Sequence, residues 1–241
     1  MGTVTMNTVT RMNTVTMNTL MNDDLALLGL LQLVSPALPI GAFAWSQGLE
    51  SAFELGWVED ANDLTSWLEG VLNDGLARCE LPVLARMRQA WAEQDQDRLQ
   101  YWNDWLLASR ETAELYDEDI RLGAALQRLL KSLSLAPTDG PTPPSYVGLF
   151  AWTADQRHIS TRPMLLGFAW AWLENQLAVA CKALPLGHTA AQQIIEQLRP
   201  SLTQAVDLAL SLPDDQLGPM LPGLALGSAQ HETQYSRLFR S

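Results

Sequence analysis

From Asp24 onward, the apolar residues of this chain recur every three or four positions, which is the period of a helix with one buried face. Clear examples run from Leu64 to Leu76 and from Leu122 to Leu133. No segment of the body alternates apolar and polar residues over the length of a strand, as a half-buried strand requires. The sequence therefore predicts an all-α fold, a single-domain multi-helix bundle without a sheet.

Proline and capping residues predict where several helices begin and end. The first helix should end at Ser35-Pro36, because proline cannot continue it, and a later helix should begin at Pro82. Residues 136–145, APTDGPTPPS, are predicted to be a connector. Thr189 and Ser201 are predicted N-caps of two separate helices near the end of the body.

Residues 162–184 are apolar on nearly every side, apart from the polar run Glu174, Asn175 and Gln176. A helix without a polar face belongs at the centre of a bundle or at a subunit interface. Charged residues make up only 17% of the chain, which favours additional buried surface in an oligomer. The apolar stretch 163–173 is about half of the roughly 20 residues needed to span a bilayer, so we expect a soluble protein.

The N-terminal residues 1–22 repeat Thr, Val, Met and Asn in a short phrase that recurs nowhere else in the chain. Such a segment buries little, so we predict a disordered leader over 1–22 and a folded domain over 23–241. The N-terminal residues lack a charged segment followed by an apolar one, so we expect no signal peptide, and the two cysteines form no close-spaced motif. These features favour the cytoplasm.

A net charge of −12 argues against nucleic acid or an anionic membrane as the main partner. The three histidines, His158, His188 and His231, are far apart in the sequence, so we expect exposed or capping side chains rather than metal ligands. A metal site assembled from distant ligands across a symmetric dimer is the alternative. Because no phosphate-binding loop and no paired nucleophile and base are visible, we expect no enzyme, no cofactor and no metal site.

An acidic run from Glu114 to Asp119 lies between Arg110 and Arg121. The alternation of charge favours a salt-bridged helix surface. The alternative is that these carboxylates supply acid–base groups or metal ligands, as in a helical enzyme.

The last fifteen residues, 227–241, carry one Glu and two Arg, whereas the rest of this acidic chain carries 13 basic and 26 acidic residues. Tyr235, Leu238 and Phe239 would lie near one face of a helix. Free termini are normally small and polar, so this tail should either dock on its own body or bind a partner. The residues alone leave both alternatives open.

Four blocks of the sequence resemble the urease accessory protein UreF family. They are residues 30–56, LLQLVSPALPIGAFAWSQGLESAFELG; residues 108–126, ASRETAELYDEDIRLGAAL; residues 171–193, AWLENQLAVACKALPLGHTAAQQ; and the tail HETQYSRLFRS. The resemblance extends in order from about Leu25 to Ser241 and leaves the repeat leader outside.

The resemblance implies an all-helical, non-enzymatic adaptor that forms a homodimer. Proteins of this family join UreD, also called UreH, and the GTPase UreG in a larger complex that delivers nickel to apo-urease. It also implies that the C-terminal segment becomes ordered on UreD and helps to form the surface that receives UreG.

Carried over to this chain, the resemblance gives two sets of candidate partner-binding residues. The first is the tail, with Tyr235, Arg237, Leu238, Phe239 and Arg240, together with His231 and Glu232. The second is the turn after the first helix, with Pro36, Phe43, Trp45 and Glu50, for which a demanding core turn is the alternative.

Two finer roles are predicted within these sets. Glu50 is a candidate for UreG contact or for lining a nickel path. The alternative function is activation of GTP hydrolysis on UreG, with Arg237 or Arg240 inserted into its site.

Overall fold

The computed structural model describes residues 21–240 of the chain. Within that range the fold consists of helices joined by turns, and no strand occurs, which confirms the predicted all-α class. The predicted leader lies outside the described residues except for Met21 and Asn22, which belong to the first helix. Helix α1 covers residues 21–33 and ends just before Ser35-Pro36, as predicted.

The remaining helices follow in chain order. They are α2 Leu49–Glu54, α3 Ala61–Gly70, α4 Glu80–Glu93, α5 Gln96–Ala108, α6 Ala113–Ser132, α7 Tyr146–Gln156, α8 Thr161–Ala183, α9 His188–Ser211 and α10 Pro222–His231. Short 3-10 turns cover Ala42–Ala44 and Asp214–Gln216, and a π-helical segment, Val71–Leu76, extends α3.

Local capping sets several of the helix starts. The side chains of Asp60, Asp95, Thr112 and Ser145 each accept a main-chain N–H of the first turn of α3, α5, α6 and α7, respectively. Each cap satisfies a donor that the helix itself leaves unpaired.

The boundaries of two helices differ from the sequence prediction. Helix α4 begins at Glu80, so that Pro82 occupies its third position, where the missing N–H is again one that the helix does not use. The two helices predicted to begin at Thr189 and Ser201 are one helix, α9, with Pro200 inside it. Ser201 donates its hydroxyl to Glu69 Oε1 at 2.7 Å instead of capping.

Burial explains why α9 continues through its proline. Ile195, Leu198 and Leu202 form one buried stripe across Pro200, and all three belong to the main core. The apolar area that they remove from water outweighs the loss of one main-chain hydrogen bond.

Helix α8 contacts α9, α4, α3 and α2, so in the described chain it occupies the centre of the bundle. Most of its residues between Met164 and Ala180 are buried, including Gln176 in the polar run. Among the helices of residues 21–240, none has the length and apolar content needed to cross a bilayer.

Helix α6 meets the connector before α7 at Gly123. A methyl group on Gly123 would overlap the carbonyl oxygen of Pro144 and lie 3.0 Å from the nitrogen of Tyr146. Only the absence of a side chain allows the main chains to approach this closely. The start of α7 is thereby held against the middle of α6.

We expect Gly123→Ala to lower the free energy of unfolding by about 1–3 kcal/mol, because the added methyl group must displace main chain. In urea titrations, Gly70→Ala is the matched control. Gly70 is also helical, and a methyl group there would meet no atom within 4 Å beyond its own helix, so this variant should gain up to about 1 kcal/mol. Equal effects of the two substitutions would contradict the packing described here.

Candidate partner-binding site at the C-terminal segment

Helix α10 begins at Pro222, a favoured first residue, and ends at His231. Residues 232–240, here called the C-terminal segment, form turns and bends rather than a helix. The expectation that Tyr235, Leu238 and Phe239 share a helical face is therefore wrong. Contacts with the body, rather than helical periodicity, determine which side chains of this segment face outward.

His231 lies completely buried between two carboxylates. Its Nδ1 is 2.8 Å from Glu114 Oε2, and its Nε2 is 3.1 Å from Glu50 Oε2. An imidazolium would donate a hydrogen bond to each carboxylate. The expectation of an exposed or capping histidine is wrong for His231, because α2 and α6 cover both edges of the ring.

Glu50 holds the main chain of the C-terminal segment. Its Oε1 accepts the N–H of Leu238 at 2.6 Å, and its Oε2 accepts the N–H of Phe239 at 3.0 Å. These charge-assisted hydrogen bonds compensate for the burial of the carboxylate, which is only 6% exposed. Glu50 is therefore covered by the segment in this chain.

The start of α2 carries Glu50 to this position. Gly48 caps α2 in the left-handed region at φ 78°, a conformation that favours glycine. A side chain at Gly48 would also lie 3.1 Å from main-chain atoms of Leu224 and Ser228 in α10. The close approach of these two backbones brings the Glu50 carboxylate beneath the C-terminal segment.

Helix α6 provides the second attachment. Glu114 Oε1 accepts a hydrogen bond from Arg237 Nη1 at 2.8 Å. The Arg237 guanidinium also donates to the carbonyl oxygens of Glu232 and Gln234. The Glu232 side chain accepts the N–H of Ala113 at 3.1 Å. Arg237 and Glu232 therefore hold the segment in place from within this chain.

Consecutive residues near the end of the segment face opposite directions. Phe239 is buried, with Lys182 Nζ 5.1 Å from its ring centroid, whereas Leu238 is 61% exposed. Tyr235 is fully exposed. The main chain of Arg240 donates to Ala44 O at 2.8 Å.

The predicted turn lies beside this segment. Trp45 is buried, and the Arg240 guanidinium lies 6.0 Å from its ring centroid, whereas Phe43 and Pro36 are exposed. The structure thus brings the two predicted sets together, with Trp45 and Glu50 inside and Phe43 outside.

A cavity of about 600 Å³ opens next to the same segment. It lies between the end of α1, the turn, α8 and the start of α9, and Phe239, Pro36 and Phe43 are among its lining residues. Its lining is mainly apolar but includes Glu174, where burial raises the pKa of the carboxyl. Sequence reasoning missed this cavity because elements that are far apart in the sequence form it together.

Sequence reasoning also missed the role of Glu114, which binds His231 and Arg237. An acidic residue in the first turn of a helix is explained locally by the helix dipole, so nothing near Glu114 indicated a contact with the chain terminus. Its partners His231 and Arg237 lie 117 and 123 residues later.

The rest of the acidic run divides between surface and interior. Asp117 and Arg121 form the predicted exposed ion pair. Asp119 instead lies buried, with Oδ2 bound by Arg110 at 2.6 Å and Oδ1 by the N–H of Tyr146 at 2.9 Å. The predicted salt-bridged surface is therefore wrong for Arg110 and Asp119, which join α6 to the start of α7.

The Arg110 guanidinium also pairs with Glu80 of α4. The carboxylates of Glu80 and Asp119 are thus both paired with the Arg110 guanidinium. Among residues 21–240, no three or more His, Cys, Asp or Glu side chains are arranged to hold a metal ion.

Glu118 lies beside this cluster and is bound by Gln47 Nε2 at 2.9 Å, while the Trp172 indole N–H donates to Gln47 Oε1 at 2.8 Å. Burial raises the pKa of the Glu118 carboxyl to about 8. At neutral pH this carboxyl is therefore mainly protonated.

Urea titrations at a series of pH values should reveal the effect of this proton on the free energy of unfolding. Because folding raises the pKa of Glu118, the protonated carboxyl makes its full stabilising contribution below the pKa of the unfolded chain, about 4.3. This contribution is lost as the pH rises through about 8. The Glu118→Gln variant should lose this dependence, which amounts to up to about 1.4 kcal/mol per pH unit.

Relative to the unmodified chain, the Glu118→Gln variant should become progressively more stable between about pH 5 and 8. Asp117→Asn, an acid-to-amide change at an exposed position of the same helix, is the control and should show no such trend. Parallel pH curves for Glu118→Gln and the unmodified chain would contradict the buried, protonated carboxyl.

Comparison with known proteins gives one consistent family. The family model UreF matches residues 58–199. Proteins named urease accessory protein UreF from Pseudoalteromonas translucida and Psychrobacter cryohalolentis are 70% and 71% identical, covering 91% and 90% of this chain and 96% and 95% of their own lengths. One from Hahella chejuensis is 48% identical over 90% of this chain and 99% of its own length. The chain therefore belongs to the UreF family of urease accessory proteins.

Proposed function

We propose that this chain is a non-enzymatic urease maturation factor of the cytoplasm that bridges UreD (UreH) and the GTPase UreG and promotes nickel insertion into apo-urease. Family membership supports this role, since the similar proteins are named urease accessory proteins. Nickel is the cargo of the proposed complex.

The observation that carries the proposal is the arrangement of the C-terminal segment. Two of its main-chain N–H groups bind Glu50 and its Arg237 side chain binds Glu114, while Tyr235 and Leu238 extend into solvent. Large apolar side chains on an ordered backbone are typical anchors of protein interfaces. The segment therefore combines a fixed position with exposed contact groups.

Activation of GTP hydrolysis by insertion of Arg237 has less support, whereas the contacts of Arg237 leave insertion of Arg240 untested. The Arg237 guanidinium is bound by the Glu114 carboxylate and by two carbonyl oxygens of the segment. Insertion into another protein would require all three contacts to break. These contacts favour a role for Arg237 in holding the segment.

We also propose a homodimer. Leu25, Leu28 and Leu31 are each more than half exposed in the described chain, although the opposite side of α1 packs on the core through Leu30 and Leu33. A helix that is apolar on two sides favours a second contact surface, here with another copy of the chain.

Replacing Leu25 and Leu28 together by Lys should convert the dimer to monomer, because it places charge in an apolar contact. Sedimentation analysis would show a mass falling from two chains to one. Leu133→Lys, at an exposed leucine after α6, is the control and should leave the dimer intact. A dimer that survives the double change would argue against the α1 interface.

The bridging role is tested by the exposed anchors alone. We expect Tyr235→Ala with Leu238→Ala to weaken capture of UreD and UreG by at least about tenfold, since interface anchors commonly carry this much binding energy. Binding titrations and co-purification would measure the loss, and urease activation should fall with it.

The matched control is Tyr101→Ala with Leu133→Ala, the same two changes at exposed positions of α5 and the end of α6. Neither pair removes a buried core residue, so both variants should remain folded; the control also loses the edge contact of the Tyr101 ring with Trp102, so its melting temperature should be the lower of the two. Full capture by the Tyr235 and Leu238 variant would refute the proposed bridging surface.

A further inference from the structure

The main chain just before α2 has a conformation that is unusual for a glutamine. Gln47 has a φ of 53°, in the left-handed region, and Gly48 follows with a φ of 78°. Glycine adopts this region without strain, whereas a residue with a long side chain is uncommon there. Contacts of its side chain must therefore stabilise Gln47 within residues 41–48, here called the entry turn.

The side chain of Gln47 lies between two helices of the body. Its Oε1 accepts the indole N–H of Trp172 on α8 at 2.8 Å, and its Nε2 donates to Glu118 Oε1 on α6 at 2.9 Å. Because an indole N–H can only donate, the amide oxygen must face Trp172 and the NH₂ group must face Glu118. Both partners are buried, so the amide is bound at its two ends by parts of the body.

Helix α8 binds the entry turn a second time. Asn175, one helical turn after Trp172, donates its side-chain amide to the carbonyl oxygen of Trp45 at 3.4 Å. Trp45 is buried, whereas Phe43, two residues earlier, is exposed. The contacts with α6 and α8 therefore hold the entry turn in an arrangement in which Phe43 faces solvent.

We propose that Gln47 is a positioning residue whose clamped side chain keeps the entry turn in the conformation that presents Phe43 to a protein partner. Trp172 and Glu118 form the clamp, because they bind the two ends of its amide group. This inference rests on the proposed function, since the entry turn acts only if UreD or UreG contacts it. Phe43 is the contact group, whereas Gln47 acts through the position of the main chain.

The charged groups around Glu118 determine how the clamp responds to pH. Burial is the main influence and raises the pKa of the Glu118 carboxyl, Asp119 and Glu80 act in the same direction, and the entry-turn amide and Arg110 oppose them. On α7, burial raises the pKa of the Tyr146 phenol, and Asp119 and Glu118 add to this effect. A second carboxylate at position 47 would therefore have to share a proton with Glu118.

The first test compares two glutamines that share a backbone conformation. Gln94 caps α4 with a φ of 56°, and its side chain is exposed. Glycine at either position relieves the left-handed strain and adds the same freedom to the unfolded chain. Only Gln47→Gly also leaves the Trp172 N–H without its acceptor.

We expect Gln47→Gly to raise the unfolding equilibrium constant at least about fivefold relative to Gln94→Gly in urea titrations. Hydrogen exchange of the free chain should accelerate about fivefold or more at the amides of Trp45 and Leu49, which donate to carbonyl oxygens of the entry turn. Exchange in α9 should stay unchanged. Equal effects of the two glycine substitutions on unfolding would overturn the clamp.

A second test uses a pH profile that a loss of packing would not produce. In Gln47→Glu, the new carboxylate can accept the Trp172 N–H but requires Glu118 to stay protonated. The unmodified chain loses the contribution of the Glu118 proton as the pH rises through about 8. The variant should continue to lose stability above this pH, because the second carboxylate raises the pKa of the pair further. The fold-increase that Gln47→Glu causes in the unfolding equilibrium constant should therefore grow about tenfold between about pH 6 and 9.

The double variant Gln47→Glu with Glu118→Gln is the matched rescue. Its carboxylate can accept the Trp172 N–H on one side and the amide of position 118 on the other, so no proton is shared. Measured against Glu118→Gln alone, the effect of Gln47→Glu should change by less than about twofold over the same pH range. A pH dependence of equal size in the two backgrounds would contradict the contact between positions 47 and 118.

Partner binding completes the test. Gln47→Gly should weaken capture of UreD and UreG at least about fivefold although Phe43 is unchanged, Phe43→Ala should do the same, and Gln94→Gly should capture normally. Full capture by Gln47→Gly or by Phe43→Ala overturns the positioning role. An unmodified chain that captures neither partner refutes the proposed function, whereas normal capture by that chain with unchanged exchange in Gln47→Gly refutes only the clamp.

Discussion

A buried carboxylate requires hydrogen-bond donors, and in this protein the C-terminal segment supplies those donors to Glu50. The position of that segment, the orientation of His231 and the contact between α2 and α10 all depend on this requirement. Gly48 permits the close approach of the two helices, and the carboxylate then selects the main-chain groups that it binds. The C-terminal segment, residues 232–240, is thus part of the tertiary structure.

The protein contains a second buried polar cluster, which joins helices of the body to one another. Arg110, Glu80 and Asp119 join α4, α6 and the start of α7, and all of their partners belong to the body. Around Glu50 the main-chain donors instead come from the C-terminal segment. The Arg110 cluster joins helices of the body to one another, whereas Glu50 and Glu114 hold the C-terminal segment against α2 and α6.

Residues at the C-terminal segment differ in whether they face the body or the solvent. Phe239 and His231 face inward and are buried, whereas Tyr235 and Leu238 face solvent. The cavity beside Phe239 adds an apolar space at the same end of the molecule.

The sequence by itself determined the all-α class, the end of α1 and the family, because helical periodicity, proline and motif order are local properties. It did not determine that α9 continues through Pro200, since burial of Ile195 and Leu202 outweighs a local break signal. Only the tertiary structure decided that His231 lies between Glu50 and Glu114, which are 181 and 117 residues away along the chain. Hydrogen bonds between distant segments have no period in the sequence, so only the folded chain shows which acid binds which donor.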